Sequence, residues 1–245
     1  GGRVLCLLYG VLAIYVSAVA ISIFVYFISE TALIRTPRVV LALLMALTIA
    51  FLLRCKLPAL GRFGEMTFPI VAAFVLISIL ATLPQCNFRD LLPVARHIGE
   101  LLNGTWTSLL LHYGECFFPI LALCTGIRDH KERKRGALGA VAFAAVTLCS
   151  VFIKNLCSLA SSISLGPFFQ RFEIFVAINF AFCELCKAGL CLLFAQKALA
   201  PLLHFQEKAL AGPLALTSAN LALLLFGSEM ELYTWLGLYK YFLTP

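Results

Sequence analysis

The chain has 245 residues, of which 62% are hydrophobic and only 13% carry a charge, and its mean hydropathy is +0.97. Soluble globular proteins do not have this usage, so the sequence predicts an integral membrane protein. The net charge of +7 lies mostly between apolar segments, where it suits the positive-inside rule and contact with anionic membrane lipid, and nucleic acid is not an expected partner.

The apolar residues fall into at least six uncharged runs of about 15 to 25 residues, the length of helices that cross a bilayer. A transmembrane barrel would instead show alternating segments of about ten residues. The sequence therefore predicts an all-α fold, a bundle of about eight transmembrane helices in a single integral membrane domain over residues 1–245.

The first predicted helix covers residues 4–28, which are too long for the apolar part of a signal peptide and lack a small-residue cleavage site. Ser17 lies near the midpoint of this helix. A hydroxyl there favours an interhelical hydrogen bond, and contact with a bound ligand is the alternative.

Further helices are predicted over residues 39–53 and 66–83, separated by a basic turn at 54–62. Pro69 is expected in the first turn of the third helix, where proline is tolerated. Residues 85–104 are too polar to span, and their apolar spacing predicts a short amphipathic helix on the membrane surface.

Residues 105–127 place an acid, a glycine and a proline inside a membrane-length apolar run. Glu115 near the middle of such a helix costs roughly 2.5 to 3.5 kcal/mol on insertion scales, so acids there normally face a cavity, a partner or a ligand. Gly114 and Pro119 weaken the helix at the same point. The segment predicts either a broken helix at a binding site or a proline-kinked span whose protonated Glu115 bonds to a neighbouring helix.

Residues 128–136 hold five basic and two acidic side chains. This composition is typical of a solvated cytoplasmic loop that fixes topology, and a docking patch is the alternative. A fifth helix is predicted over residues 137–153, and a loop with a short re-entrant piece over residues 154–171.

The sixth predicted helix, residues 172–200, contains Glu184 and Lys187, which lie three residues apart and share one face. They predict an intramembrane ion pair or a contact with a neighbouring helix, in preference to a ligand role. Cys183 and Cys186 form a C-x-x-C within the same helix, but without a second pair they predict neither a metal site nor a cofactor.

The last two helices are predicted at residues 209–228, with a polar notch at Thr217, Ser218 and Asn220, and at residues 232–243. Ten basic residues lie in the loops after the second, fourth and sixth helices, and six lie in the alternate loops. The first set is therefore expected in the cytoplasm, together with both ends of the chain.

Three stretches carry a family resemblance. They are GRFGEMTFPIVAAFVLISILATLPQCNFRDLLPV at residues 61–94, LHYGECFFPILAL at residues 111–123, and FFQRFEIFVAINFAFCELCKAGLCLLFAQKAL at residues 168–199. In this order they resemble the Phe-Pro helix with its LLPV loop, the Gly-Glu helix and the Lys-containing long helix of the endospore germination permeases. That family comprises the B subunits of nutrient germinant receptors in the inner membrane of bacterial endospores.

The resemblance implies the fold of the amino acid/polyamine/organocation transporters, in which ten helices form two inverted repeats of five and the first and sixth helices are discontinuous. The helices of this chain then correspond to the third through tenth of that fold. The resemblance thereby implies that the first two helices of the fold are missing and that the chain is N-terminally truncated relative to the family. The helix with Gly114 and Glu115 becomes the sixth, discontinuous helix.

The resemblance also implies a receptor subunit that binds a small germinant such as an amino acid and signals to the other germinant receptor subunits. The predicted ligand-binding residues are Tyr113, Gly114, Glu115, Cys116, Ser17 and Asn179. Glu115 either bonds the ligand ammonium as a carboxylate or holds the unwound segment as a neutral acid.

Two alternatives stay open. The same cavity serves an amino-acid permease driven by a proton or ion gradient, in which Glu115 or Glu184 carries the coupling proton, or the chain is a non-functional truncated fragment. An enzyme is not expected and no residue is predicted to be catalytic, because the four histidines show no ligand spacing.

Overall fold

The computed structural model of the chain describes residues 2–31, 33–82, 167–228, 230–232 and 234–235. Within these ranges the chain is helical and contains no β-strand. The helices are α1 Gly2–Thr31, α2 Arg38–Arg54, α3 Lys56–Thr82, α4 Pro167–Leu203 and α5 Glu207–Leu225. The predicted all-α fold is therefore confirmed for the described part of the chain.

Three of the described helices are long and apolar enough to cross a membrane, over Gly2–Glu30, Phe180–Leu203 and Glu207–Leu225. They correspond to the first, sixth and seventh predicted helices. The predicted helices at 85–104, 105–127 and 137–153, the basic loop at 128–136 and most of the helix at 232–243 lie outside the described residues.

The basic turn expected at residues 54–62 is wrong, because α3 begins at Lys56 and only Cys55 separates it from α2. Leu60 is buried and Phe63 packs against the same core, so an apolar face keeps these residues helical although their other face is basic. Pro69 consequently lies inside α3 and not in its first turn.

The loop expected over residues 154–171 ends earlier than predicted, because α4 begins at Pro167, a residue that suits the first position of a helix. At its other end, α4 stops where His204 adopts a left-handed conformation with φ of 56°. The Phe205 N–H then donates to the Ala200 carbonyl at 3.3 Å, the bond of a Schellman-type helix end.

The direction of α1 relative to α4 and α5 follows from paired contacts along its length. Its contacts with α4 run in the opposite sense: Gly10 meets Leu199, Ser17 bonds to Ala188, and Phe27 stacks on Phe180. Its contacts with α5 run in the same sense: Ser17 with Ser218, Ser22 with Ala222, and Tyr26 with Phe226. Thus α1 is antiparallel to α4 and parallel to α5.

The core lies where α1, α2, α4 and α5 meet, with α1 packed chiefly on α4 and α2 on α5. Many of its buried residues are alanines: Ala18, Ala20, Ala42, Ala46, Ala188, Ala211, Ala215, Ala219 and Ala222. Small side chains let helix backbones approach closely, which is how helices associate within a membrane.

Candidate functional site

Most of the sequence-predicted ligand site falls on parts of the chain that the structure does not describe. Tyr113, Gly114, Glu115, Cys116 and Pro119 lie outside the described residues, and their roles remain predictions. Asn179 lies within α4, but its side chain is not described. The structure therefore positions Ser17, Glu184 and Lys187 among the predicted residues.

Ser17 is fully buried at the centre of the contact between three helices. Its hydroxyl accepts a hydrogen bond from the Ser218 hydroxyl of α5 at 3.1 Å and donates to the Ala188 carbonyl of α4 at 3.4 Å. The residue thus takes part in interhelical hydrogen bonds, the structural one of the two roles that its sequence position allowed. A ligand role for Ser17 remains a prediction.

Two more polar side chains of α1 form hydrogen bonds with the carboxyl end of α5. The buried Ser22 hydroxyl lies 2.8 Å from the Ala222 carbonyl and 3.0 Å from the Ala18 carbonyl of its own helix. The Tyr26 hydroxyl donates to the Phe226 carbonyl at 2.7 Å. Because the carbonyls at a helix end lack helical donors, these hydroxyls supply the bonds that α5 itself cannot make.

The predicted polar notch of the seventh helix divides into three different environments. Ser218 is buried and bonds to Ser17. The Thr217 hydroxyl donates to the Leu214 carbonyl within α5, and the Asn220 side chain is exposed. Of these three side chains, Ser218 is therefore the one that joins α5 to the bundle.

Glu184 and Lys187 are brought together on α4. The Lys187 Nζ lies 3.1 Å from Oε1 and 2.9 Å from Oε2 of Glu184, and the two side chains are 18% and 10% exposed for Lys187 and Glu184. The pair lies inside a candidate membrane span, near the contact between Phe63 of α3 and Phe182 of α4. Such a pair lowers the cost of placing either charge in the bilayer.

Cys183 and Cys186, which flank Glu184, carry free thiols. Among the described residues, no cluster of His, Cys, Asp and Glu side chains has the arrangement of a metal site. The C-x-x-C sequence therefore contributes no ligand cluster to this part of the molecule.

A cavity of about 140 Å³ with polar and apolar walls lies where the end of α1, the start of α2 and the end of α5 converge. Its lining residues are Ser22, Val25, Tyr26, Arg38, Ala222, Leu223, Phe226 and Gly227. The Arg38 guanidinium carbon lies 4.4 Å from the centre of the Tyr26 ring, a cation–π contact. A fixed tyrosine therefore holds a positive charge against this cavity.

The chain after α5 turns sharply and starts a new helical segment beside the cavity. The Glu231 N–H donates to the Ser228 hydroxyl at 3.3 Å, and the Gly227 N–H donates to the Glu231 carboxylate at 2.8 Å. The spacing Ser-x-x-Glu is that of a capping box, in which the acid reaches back to an earlier amide. This turn fixes Gly227 at the cavity wall.

Sequence reasoning missed Tyr26, Arg38 and Gln196 as structural residues. Tyr26 and Arg38 lie on consecutive helices, and no spacing rule joins them across a connector. Gln196 is 2% exposed, and its Nε2 donates to the carbonyl of Glu207, the first residue of α5. A polar amide in the apolar run of the sixth predicted helix was the signal available for Gln196.

A family model described as spore germination protein, of the spore permease type, matches residues 2–160, well over half of the chain. No curated protein and no solved structure gives a significant match. The helices α4 and α5 lie beyond the matched residues but pack directly on α1 and α2 within them. The chain, an integral membrane protein with apolar spanning helices, therefore belongs to the spore germination permease family.

Proposed function

We propose that the chain is the membrane subunit of a spore nutrient germinant receptor, which binds a small germinant such as an amino acid and signals to the other receptor subunits. The family match carries this proposal, because its residues 2–160 include the whole Gly114–Glu115 stretch. Membership of a transporter-like or receptor-like membrane family also agrees with a role other than catalysis.

The proposed germinant site comprises Tyr113, Gly114, Glu115 and Cys116, with Ser17 and Asn179 on facing helices. A helix break at Gly114 leaves backbone amides and carbonyls without helical partners, and such groups bind the two ends of a zwitterion. In this proposal the neutral Glu115 side chain holds the broken segment in shape.

The packing of the described helices supports an inverted-repeat fold. α1 and α2 are one consecutive pair and α4 and α5 another, and the first members pack together, as do the second members. Because α1 and α4 run antiparallel, this is the pairing that two repeats of opposite orientation produce. The correspondence to helices three through ten is part of the proposal, as is a location in the bacterial cell membrane or the inner spore membrane with both ends cytoplasmic.

The experiment that tests the function uses spores carrying the receptor with single substitutions in this subunit. We expect Gly114→Leu to abolish the response to amino-acid germinants, and Glu115→Gln to leave near-normal membrane levels with a partial response. Glu65→Gln, at an exposed acid of α3, is the matched control and should respond normally. Unchanged germinant affinity and response in both site variants would remove this helix from the site.

A second candidate function is a permease driven by a proton or ion gradient, which the Glu184–Lys187 pair inside a candidate span favours. Intramembrane acids serve as proton carriers in the relays of pumps and transporters. Reconstituted vesicles that accumulate labelled amino acid against its gradient, and lose this accumulation with Glu184→Gln, would establish transport. Labelled amino acid that only equilibrates across the vesicle membrane would exclude transport coupled to a proton or ion gradient.

A further inference from the structure

The cavity beside Arg38 has groups of both charges on its walls. Arg38 is exposed and contributes a guanidinium, and among the described residues no carboxylate lies within salt-bridge distance of it. The opposite wall is the carboxyl end of α5, where helix carbonyls carry partial negative charge.

The Leu223 carbonyl is one of the acceptors at this helix end that lack their regular helical donor. In a continued helix the Gly227 N–H would bond to Leu223, but here that N–H donates to the Glu231 carboxylate at 2.8 Å. Leu223 and Gly227 both line the cavity. This wall of the cavity is therefore the last turn of α5 together with Gly227, whose N–H is held by Glu231.

The remaining polar groups of the walls already have partners. The Tyr26 hydroxyl bonds to Phe226, and the Ser22 hydroxyl bonds to Ala222. These bonds fix the two side chains, so the cavity is formed before a ligand arrives, which reduces the entropy lost on binding. Arg38 and the end of α5 are then the groups that select the ligand.

We infer that this cavity is a second amino-acid site, which binds a small zwitterion with its carboxylate against Arg38 and its ammonium against the carboxyl end of α5. An isolated anion would meet the negative end of α5, and an isolated cation would meet the guanidinium, so a ligand with both charges fits best. The volume of about 140 Å³ is close to that of a cavity of about 150 Å³ that holds benzene, a molecule with as many non-hydrogen atoms as alanine.

The inference rests on the proposed function for the identity of the nutrient, but it concerns residues separate from Gly114 and Glu115. The test is therefore made in purified protein that carries Gly114→Leu, which removes the helix-break site. Binding of radiolabelled L-alanine is measured by equilibrium dialysis, with acetate, methylammonium and inorganic phosphate as competitors.

We expect saturable binding of L-alanine that Arg38→Gln weakens by more than tenfold and Arg38→Lys by less. Arg35→Gln is the matched control, because Arg35 is an exposed arginine three residues away that does not line the cavity. It should change the affinity less than twofold.

A second variant covers the case in which Arg38→Gln fails to fold. Gly227 is exposed, and a Cβ added there would lie 3.3 Å from Oε2 of Glu231, an atom at the end of a flexible side chain. Gly227→Val should therefore fold with a small shift of the Glu231 side chain, narrow the cavity, and so also weaken binding of L-alanine about tenfold.

Equal binding of L-alanine with and without Gly227→Val or Arg38→Gln, or no binding at all, would overturn the inference. Competition by acetate or phosphate as strong as that by unlabelled alanine would also overturn it, and would assign an anion site such as one for a lipid phosphate. If Gly114→Leu abolishes the germination response of spores but Arg38→Gln does not change the binding of L-alanine, the inference fails and the proposed function stands. If L-alanine binding depends on Arg38 but the protein has no effect on spore germination, the proposed function fails and the inference stands.

Discussion

At the scale of single residues, polar side chains do two kinds of work in this membrane protein. Ser17, Ser22 and Tyr26 join α1 to its neighbours through hydrogen bonds, while Glu184 and Lys187 neutralise each other on one helix. Sequence alone predicted the second arrangement from a spacing of three residues. It could not identify Ser218 as the partner of Ser17, because the two positions lie 201 residues apart.

Ser17→Ala should lower the free energy of unfolding by about 0.6 kcal/mol, the average measured for interhelical hydrogen bonds in a membrane protein, and by no more than about 1.7 kcal/mol, the largest value measured. Ser29→Ala is the matched control, because the Ser29 hydroxyl donates within its own helix to the Tyr26 carbonyl. Denaturant unfolding in detergent micelles measures both. Equal losses in the two variants would show that the bonds across helices add nothing.

Lys187→Ala should destabilise the protein more than the double replacement with Glu184→Ala. The single variant leaves a buried carboxylate without its cation, whereas the double variant removes both charges. Thermal unfolding of the two single variants and the double variant gives the coupling between the residues. Additive losses would mean that the two charges act independently.

At the scale of helices, long apolar runs could be predicted and helix ends could not. The turn expected at residues 54–62 is helical because Leu57, Leu60 and Phe63 pack on the core. The basic residues of this stretch, Arg54, Lys56 and Arg62, led to the prediction of a turn. At the end of α4, the left-handed position is occupied by His204, so no glycine in the sequence indicates the helix end. A left-handed histidine depends on the surrounding packing, which a single sequence does not reveal.

Substitutions at His204 should therefore follow its backbone conformation. His204→Gly should stabilise the protein by about 1 kcal/mol, because glycine adopts a φ near 56° without strain. His204→Val should destabilise it, because a β-branched residue is a severe outlier in this region. Melting temperatures in detergent give the order of stability of the two variants and the unchanged protein. A valine variant as stable as the glycine variant would contradict the prediction.

At the scale of the whole molecule, the connector after α1 and the connector after α4 should face opposite sides of the membrane. The chain passes from α1 to α2 at residues 32–37 and from α4 to α5 at residues 204–206, and α1 and α4 run antiparallel. We expect Phe205→Cys to be labelled from the cytoplasm and Arg35→Cys from the other side, in a background without native cysteines. Labelling of both positions from one side would contradict this arrangement and the charge-based orientation.

The antiparallel arrangement of α1 and α4 also sets a parity for the chain between them. If both helices cross the bilayer, Thr31 at the end of α1 and Pro167 at the start of α4 lie on the same side. A chain that leaves and returns to one side crosses an even number of times. The four helices predicted between these residues satisfy this condition, and a count of three or five would not.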